Sequence, residues 1–217
     1  MSLSCPRLRP IINNENGVKV LQSFRDELVN YAVPGSDNFE YYEANQAFND
    51  GCCMQVITWL GAYPTSQNEE NSKVAGKVGA MACPGWEDGD KDGGMLGGWA
   101  VVLPADAQNK EAGYKFAEFC SSAEGEKLKV SSGCFPSRTS VLEDPDSEYP
   151  EYFPIVLEAL EAGVAAPSWA EWNELNVTLT EYVSAAGTGV MEPQAALDEC
   201  VEQWNSVLSE AGLLYEE

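Results

Sequence analysis

The sequence predicts an α/β protein whose C-terminal third is helical. Apolar residues recur every three or four positions in several segments, which is the spacing of an amphipathic helix. Short apolar runs of strand length separate the earlier helical segments, and proline or glycine ends most of them. The last apolar stripe follows Pro193, a residue that suits a first helical turn, and extends from Leu197 through Trp204 to Leu208.

The first two predicted helices precede Gly51. An apolar stripe from Leu21 to Tyr31 follows helical spacing, after Asn14 and Asn16 as candidate N-caps. The segment YEANQAFND continues as a second helix, and Gly51 stops it.

Three apolar runs are predicted as strands. CCMQVITWL leads into a turn at GAYP, KVAGKVGAMACPG ends at Pro84, and MLGGWAVVLP ends at Pro104. Proline suits the end of a strand because it has no N–H to donate to a ladder.

Four further helices are predicted before the C-terminal one. Asn109 caps KEAGYKFAEFC, and a capping box from Ser121 to Glu124 opens EGEKLKVS. An acidic surface connection, LEDPDSEYPEYFP, precedes IVLEALEAG. A second capping box, Ser168 with Glu171, begins the helix through NELNVTLTEYVSAA.

Charge and composition exclude several classes of function. The formal net charge of −23, with no basic cluster, disfavours nucleic acid and anionic membranes as partners and indicates a solubilising surface. Histidine is absent from the 217 residues. This removes the usual general base of serine and cysteine nucleophiles and the commonest zinc ligand. Enzymes that use only carboxylates remain compatible with the composition.

The seven cysteines contain no CxxC pair, and their odd number argues against a complete disulfide framework. Cys120 and Cys200 fall on apolar helix faces and are predicted to be buried thiols.

The chain reads as the later part of a longer protein. Its first helix has no preceding strand, and its strands are few for so many amphipathic helices. Residues 1–14 lack the apolar core of a signal peptide and are predicted to be a cloning remnant or a disordered N-terminus.

The segment GWEDGDKDGGMLGGWAVVLP allows a metal site or a ligand site. Asp88, Asp90, Asp92 and Gly93 have the spacing that opens a calcium loop, but Trp99 stands at the twelfth position, where such a loop needs glutamate. The aspartates are therefore predicted to form a polar turn, with a weak adventitious calcium site as the alternative. No metal or organic cofactor is expected.

Gly97, Gly98 and Trp99 suit a flat, hydroxylated ligand. Glycines let the backbone approach a ligand that a Cβ would hold off. An indole stacks on the C–H face of a sugar, whose hydroxyls need fixed donors such as a guanidinium. A tryptophan beside an apolar strand is more often a core residue, and Trp204, on its helical stripe, is predicted to be one.

Four segments resemble, in order and spacing, the extracellular solute-binding proteins of ABC transporters, and most closely the sugar-binding group that includes the maltodextrin-binding proteins. They are EANQAFNDGCCMQVITW, SKVAGKVGAMACPG, GGMLGGWAVVLPADAQNKEAGYKFAEFCSSAEGEKLKVSSGCFPSR and EPQAALDECVEQWNSVL. The resemblance implies a type II, bilobal periplasmic-binding-protein-like fold. Residues 15–217 would form its C-terminal part, with hinge crossings near 82–95 and 134–150.

The resemblance also implies ligand-binding residues. One aromatic closes the AFNDGCCMQVITW segment, three residues match a GGW loop, an arginine matches a P-x-R element, and two tryptophans lie near a segment that can reach the site. They are Trp59, Gly97, Gly98, Trp99, Arg138, Trp169 and Trp172.

The implied function is capture of a sugar or oligosaccharide in an interlobe cleft and delivery to the permease subunits of an ABC importer, in the periplasm or facing the exterior. With much of one lobe missing, the chain is expected to self-associate and to bind sugars weakly or not at all. The alternatives are a carboxylate-dependent glycosidase, which needs two opposed acids that no motif singles out, and a calcium-binding or structural module.

Overall fold

A computed structural model of the protein describes residues 7–83, 85–86, 94–131, 134–144 and 146–215. The chain divides into two compact units: the first is Met1–Phe39 with Pro167–Glu217, and the second is Glu40–Ala166. The hinge crossings expected near 82–95 and 134–150 fall inside the second unit and stay a prediction. Within the described ranges, no helix is long and apolar enough to cross a membrane.

Helices dominate both units. The α-helices are α1 (Glu15–Tyr31), α2 (Tyr41–Asn49), α3 (Ala62–Ser66), α4 (Lys110–Cys120), α5 (Ala123–Ser131), α6 (Thr139–Leu142), α7 (Phe153–Ala162), α8 (Trp172–Gly187) and α9 (Pro193–Glu210). A 3-10 turn spans Ser36–Asn38, and two short strands are β1 (Met95–Leu96) and β2 (Val164–Ala165).

The first unit is built on α1, α8 and α9, which pack against one another. The predicted cap of α1 is confirmed, because the Asn14 side chain accepts a hydrogen bond from the Gly17 N–H at 2.9 Å. Gly17 also lies so close to the Ile12 carbonyl oxygen that a Cβ would come within 1.8 Å of it. Only glycine therefore fits at this turn of α1.

The core of the first unit confirms the predicted C-terminal stripe. Leu197, Cys200, Trp204 and Leu208 are all buried on one face of α9, which begins at Pro193 as expected. Burial raises the pKa of the Cys200 thiol to about 11, which keeps it protonated and unreactive at neutral pH.

The N-terminal segment before α1 contacts the C-terminal end of the chain. Leu8 forms a parallel bridge with Leu214, donating its N–H to the Leu213 carbonyl at 2.7 Å and accepting from the Tyr215 N–H at 2.9 Å. These bonds connect the segment of residues 7–14 to the C-terminal end of the first unit.

The second unit has a separate aromatic core around α3, α6 and α7. Tyr63 and Tyr152 stack with ring centroids 4.1 Å apart, and Phe153 and Val156 of α7 are fully buried beside them. The predicted helix IVLEALEAG is thus confirmed as part of α7.

The predicted strands are mostly wrong. In the described residues, the only ladder is a two-residue parallel pair, Met95 with Val164 and Leu96 with Ala165. The runs CCMQVITWL and KVAGKVGAMACPG form no ladder there, and neither do residues 97–104. A strand needs the backbone of a neighbour, and these runs find no neighbour in the described part of the chain.

Both predicted capping boxes are wrong. Ser122, one residue after the predicted Ser121, accepts from the Gly125 N–H at 3.1 Å, while the Ser121 hydroxyl bonds back to carbonyls of α4. At α8 the N-cap is Glu171, with no side-chain capping bond, so Ser168 plays no such part. Both helices exist near their predicted positions, but the capping residue depends on the local path of the chain.

Candidate functional site

Trp59 presents an exposed indole in the second unit. One side of the ring stacks on Tyr41 of α2, with ring centroids 4.5 Å apart and planes inclined by 25°. The side chain is nevertheless 71% exposed. An indole with one face held by protein and the other in solvent can receive a flat apolar surface.

The backbone beside Trp59 is fixed to the aromatic core. The Tyr152 hydroxyl donates to the Leu60 carbonyl, and the Ala62 N–H donates to the Trp59 carbonyl at 3.0 Å. Burial, and then the neighbouring Tyr63 and Tyr41, raise the pKa of Tyr152, so this hydroxyl stays a donor at physiological pH. The backbone next to the indole is therefore held against the aromatic core by the buried Tyr152.

Gly97, Gly98 and Trp99 follow β1 directly. Trp99 is fully exposed, and a Cβ at either glycine would meet no atom within 4 Å. Packing within the described chain therefore does not require these glycines. The space around them is open to an incoming group, as the ligand-platform interpretation needs.

A shallow cavity of about 390 Å³ lies between the segment that bears Trp99 and the junction of α4 with α5. Its lining combines aromatic, acidic and basic groups, including Trp99, Tyr114, Glu118, Glu126, Lys129 and Ser137. Cys120 also lines this cavity and is only partly buried, which corrects its prediction as a buried thiol.

Glu126 is a buried carboxylate in the wall of this cavity. Its side chain is only 1% exposed and accepts from Lys129 Nζ at 2.7 Å, the Ser137 N–H at 2.7 Å and the Ser137 hydroxyl at 3.0 Å. Burial alone would raise the pKa of Glu126, but the bonds from Lys129 and Ser137 outweigh burial and lower it. The carboxylate thus stays charged and ties α5 to the turn before Arg138.

Arg138 lies at the N-cap of α6. Its Nη1 donates to the Ser121 carbonyl at 2.8 Å, which joins the α4–α5 junction to the same turn. A guanidinium has five N–H donors, so this bond leaves capacity for hydroxyl groups.

Trp169 and Trp172 belong to the first unit. Trp172 packs edge-on against Trp204, with ring centroids 6.5 Å apart, and is partly buried against the core. Trp169 is more exposed and accepts from the Trp172 N–H through its carbonyl at 3.2 Å. A core role therefore competes with the predicted ligand role at Trp172, and Trp169 has the more accessible ring.

The predicted site residues divide between the two units, with Trp59, Gly97, Gly98, Trp99 and Arg138 in the second. Trp99 lies at the cavity rim, and the partners of Arg138 and Glu126 lie in its wall. Sequence reasoning did not identify Tyr41 and Glu126. No local pattern distinguishes Glu126 from Glu124 in EGEK, whereas the sequence does show an aromatic pair at Tyr41–Tyr42.

The proposed polar turn at Asp88, Asp90 and Asp92 lies outside the described residues. Among the residues that are described, no group of three or more acidic or cysteine side chains could hold a metal ion.

Relatives and solved structures match the chain over most of its length. The mannitol-binding protein of Pseudomonas aeruginosa is 24% identical over 227 residues, covering 95% of this chain and 51% of that protein. An ABC transporter solute-binding protein from Agrobacterium radiobacter K84, solved with ribitol, has a TM-score of 0.77 at 28% identity, covering 90% of this chain and 50% of that chain. Maltose-bound MalE3 of T. maritima has a TM-score of 0.80 at 23% identity, and the match covers 92% of this chain and 52% of that chain.

The chain spans about half the length of the curated relatives it matches. Its fold is that of the bilobal periplasmic solute-binding proteins, with the helix-rich C-terminal third expected from the sequence. The family model for bacterial extracellular solute-binding proteins matches residues 10–127, more than half of the chain. The protein is therefore a member of the bacterial extracellular solute-binding protein family.

Proposed function

We propose that the protein is the substrate-binding component of an ABC importer, working in the periplasm or at the cell exterior. Its role is to capture a sugar or a related polyol and deliver it to the permease subunits. The observation that carries this proposal is the Trp59 indole, which rests on Tyr41 and keeps a solvent-accessible face. Such a ring is a stacking surface for C–H groups.

Two ligand shapes are candidates, and the relatives represent both. Mannitol and ribitol, in the names of two relatives, are linear polyols, whereas maltose, bound to the third, has sugar rings. A ring offers a flat C–H face to Trp59 or Trp99, while both shapes offer hydroxyls to Arg138. Exposed tryptophans favour the ring-bearing ligand for this chain.

Capture requires binding and closure but no covalent chemistry. In this proposal, the ligand bridges two lobes and stabilises the closed form by binding it more tightly than the open form. The closed form then docks on the permease. In this proposal, Trp59 and Trp99 of the second unit contact the captured ligand.

A ligand panel tests the proposal. Saturation-transfer NMR, which detects millimolar binding, is applied to the 217-residue chain with maltose, mannitol, ribitol and, as a control, glutamate. We expect a signal from maltose and none from glutamate. A signal from glutamate alone, or one from glutamate as strong as that from maltose, would contradict sugar capture. Release of reducing ends from maltooligosaccharides would instead support the glycosidase alternative.

The exposed rings of Trp59 and Trp99 are expected to contribute to ligand affinity. Trp59→Ala and Trp99→Ala should each weaken binding of the positive ligand by about 1–3 kcal/mol, because stacking and apolar burial are lost. Met54→Ala is the matched control, since Met54 is fully exposed on the same run as Trp59 but has no ring. Its affinity should equal that of the wild type by the same NMR titration. Equal loss in all three variants would mean that binding does not depend on the indoles.

A further inference from the structure

The Trp59 side chain is attached to a restrained backbone, but its ring needs a further contact to keep one orientation. The Ala62 N–H donates to the Trp59 carbonyl, and the Tyr152 hydroxyl donates to the carbonyl of the next residue, Leu60. These bonds do not fix the two side-chain torsions of Trp59, and the second torsion of an aromatic side chain is broad. The orientation of the indole therefore depends on the side chains that contact it.

Tyr41 contacts one face of this indole. The two rings are stacked, with centroids 4.5 Å apart and planes inclined by 25°, and both residues belong to the second unit. A stacked aromatic pair is more favourable than the burial of its area alone, which gives the ring of Trp59 a preferred orientation. The contact lies on the protein side of the indole, so it does not depend on which group meets the other face.

Tyr41 is itself held in place as the first residue of α2. A capping box precedes it: the Glu40 side chain accepts from the Glu43 N–H, and the Glu43 side chain accepts from the Glu40 N–H at 3.2 Å. The Asn45 Nδ2 donates to the Tyr41 carbonyl at 2.6 Å. These local bonds fix the start of α2, and with it the point from which the Tyr41 ring reaches Trp59.

We propose that Tyr41 is a positioning residue, which holds the Trp59 indole in one orientation before the ligand arrives and thereby raises affinity without touching the ligand. This inference rests on the proposed function, in which Trp59 is a stacking surface. A ring that is ordered in advance loses less conformational entropy on binding than a ring that rotates. The contribution of Tyr41 should therefore be about three- to tenfold in affinity, and it should require the presence of Trp59.

Fluorine NMR without any ligand tests the orientation of the ring. The 217-residue chain is labelled with 5-fluorotryptophan, and the Trp59 resonance is assigned by its loss in Trp59→Phe. Because the ring current of a stacked neighbour displaces such a resonance, Tyr41→Ala should shift the Trp59 signal and leave the signals of the other tryptophans in place. Tyr41→Phe keeps the stacked ring and should keep the wild-type position of the Trp59 signal.

The matched control for Tyr41→Ala is Tyr42→Ala. Tyr42 is an exposed aromatic residue in the first turn of the same helix, and its ring meets Tyr41 edge-on instead of stacking on Trp59. Its removal should move the Trp59 signal much less. Alanine is a better helix former than tyrosine, so α2 should persist in both variants, which circular dichroism verifies. An unmoved Trp59 signal in Tyr41→Ala, or equal shifts in the two variants, would overturn the proposal.

A double-mutant cycle with maltose tests the effect on affinity, by the same saturation-transfer titration. Tyr41→Ala should weaken maltose binding about three- to tenfold in the wild-type background and cause no further loss in the Trp59→Ala background, because it acts through that ring. Tyr41→Phe should retain the wild-type affinity. Equal losses in both backgrounds, or wild-type affinity in Tyr41→Ala beside a weakened Trp59→Ala, would overturn the positioning role alone. Wild-type affinity in Trp59→Ala would contradict the role of Trp59 in the proposed function.

Discussion

Trp204→Ala is expected to lower the free energy of unfolding of the first unit by about 3–5 kcal/mol, the usual cost of removing a large aromatic side chain from a core. The indole is buried on α9 and donates from Nε1 to the Leu175 carbonyl at 2.8 Å. The edge-on contact with Trp172 would be lost as well. The substitution therefore leaves a cavity and removes the hydrogen bond that the Leu175 carbonyl accepts from the indole.

Urea unfolding followed by far-ultraviolet circular dichroism measures this effect. Trp204→Phe should cost less, because the ring still fills part of the space while the hydrogen bond is lost. Trp99→Ala is the matched control: Trp99 is fully exposed, so its removal should change the free energy of unfolding by less than about 0.5 kcal/mol. Similar losses for Trp204→Ala and Trp99→Ala would contradict the distinction between core and surface tryptophans.

Glu126→Ala is expected to destabilise the second unit by about 3 kcal/mol, at the lower end of the cost of breaking a buried charge pair. The carboxylate accepts three hydrogen bonds, from Lys129 Nζ and from the N–H and hydroxyl of Ser137. Lys129 is partly exposed and can be rehydrated, which limits the loss. Ser137 is exposed as well, so water can replace part of what its N–H and hydroxyl lose.

The control for Glu126→Ala is Glu124→Ala. Glu124 is an exposed residue in the first turn of the same helix, so only its interaction with the helix dipole is lost, worth less than about 1 kcal/mol. Equal midpoints of urea unfolding for the two variants would show that the hydrogen bonds of Glu126 with Lys129 and Ser137 do not contribute to stability.

The hydrogen bonds of the Glu126 carboxylate also make the stability of the second unit depend on pH. Because the folded pKa of Glu126 is lowered, its charged form is favoured in the native state, and its contribution is fully present above the unfolded pKa of about 4.3. The contribution is lost as pH falls through the lower, folded pKa. The stability gap between the wild type and Glu126→Gln should therefore be constant near neutral pH and shrink in acid. A gap independent of pH would contradict a charged carboxylate at this position.

The sequence by itself determined the longer helices and the first unit's core, but not the short helices α3 and α6. Apolar periodicity is contained within about four residues, and it predicts the positions of α1, α2, α4, α7, α8 and α9. The buried stripe of α9 follows for the same reason. The helix α5 appears although the capping box that predicted it is wrong. The order of motifs also indicated the family, which the family match confirms.

Strands could not be predicted as reliably from the same local signals. The three apolar runs have strand-like composition, yet only β1 enters a ladder within the described residues. The amino-acid composition of a segment indicates whether it can form a strand. Whether it does so depends on a neighbouring strand that can be distant in the sequence. β1, for example, pairs with β2, which lies 69 residues further on, from Met95 to Val164.

For the candidate site, the sequence supplied the residue types and only the tertiary structure decided their surroundings. Trp59, Trp99 and Trp204 have the same side chain. From the sequence, only the helical spacing around Trp204 indicates that it belongs to the core, where the structure places it. That Trp59 rests on Tyr41, and that Glu126 is buried and holds Ser137, depends on contacts between residues 11 to 18 positions apart in sequence. Burial and hydrogen bonding set the exposure of a ring and the pKa of a carboxyl, and both arise only when separate segments pack together.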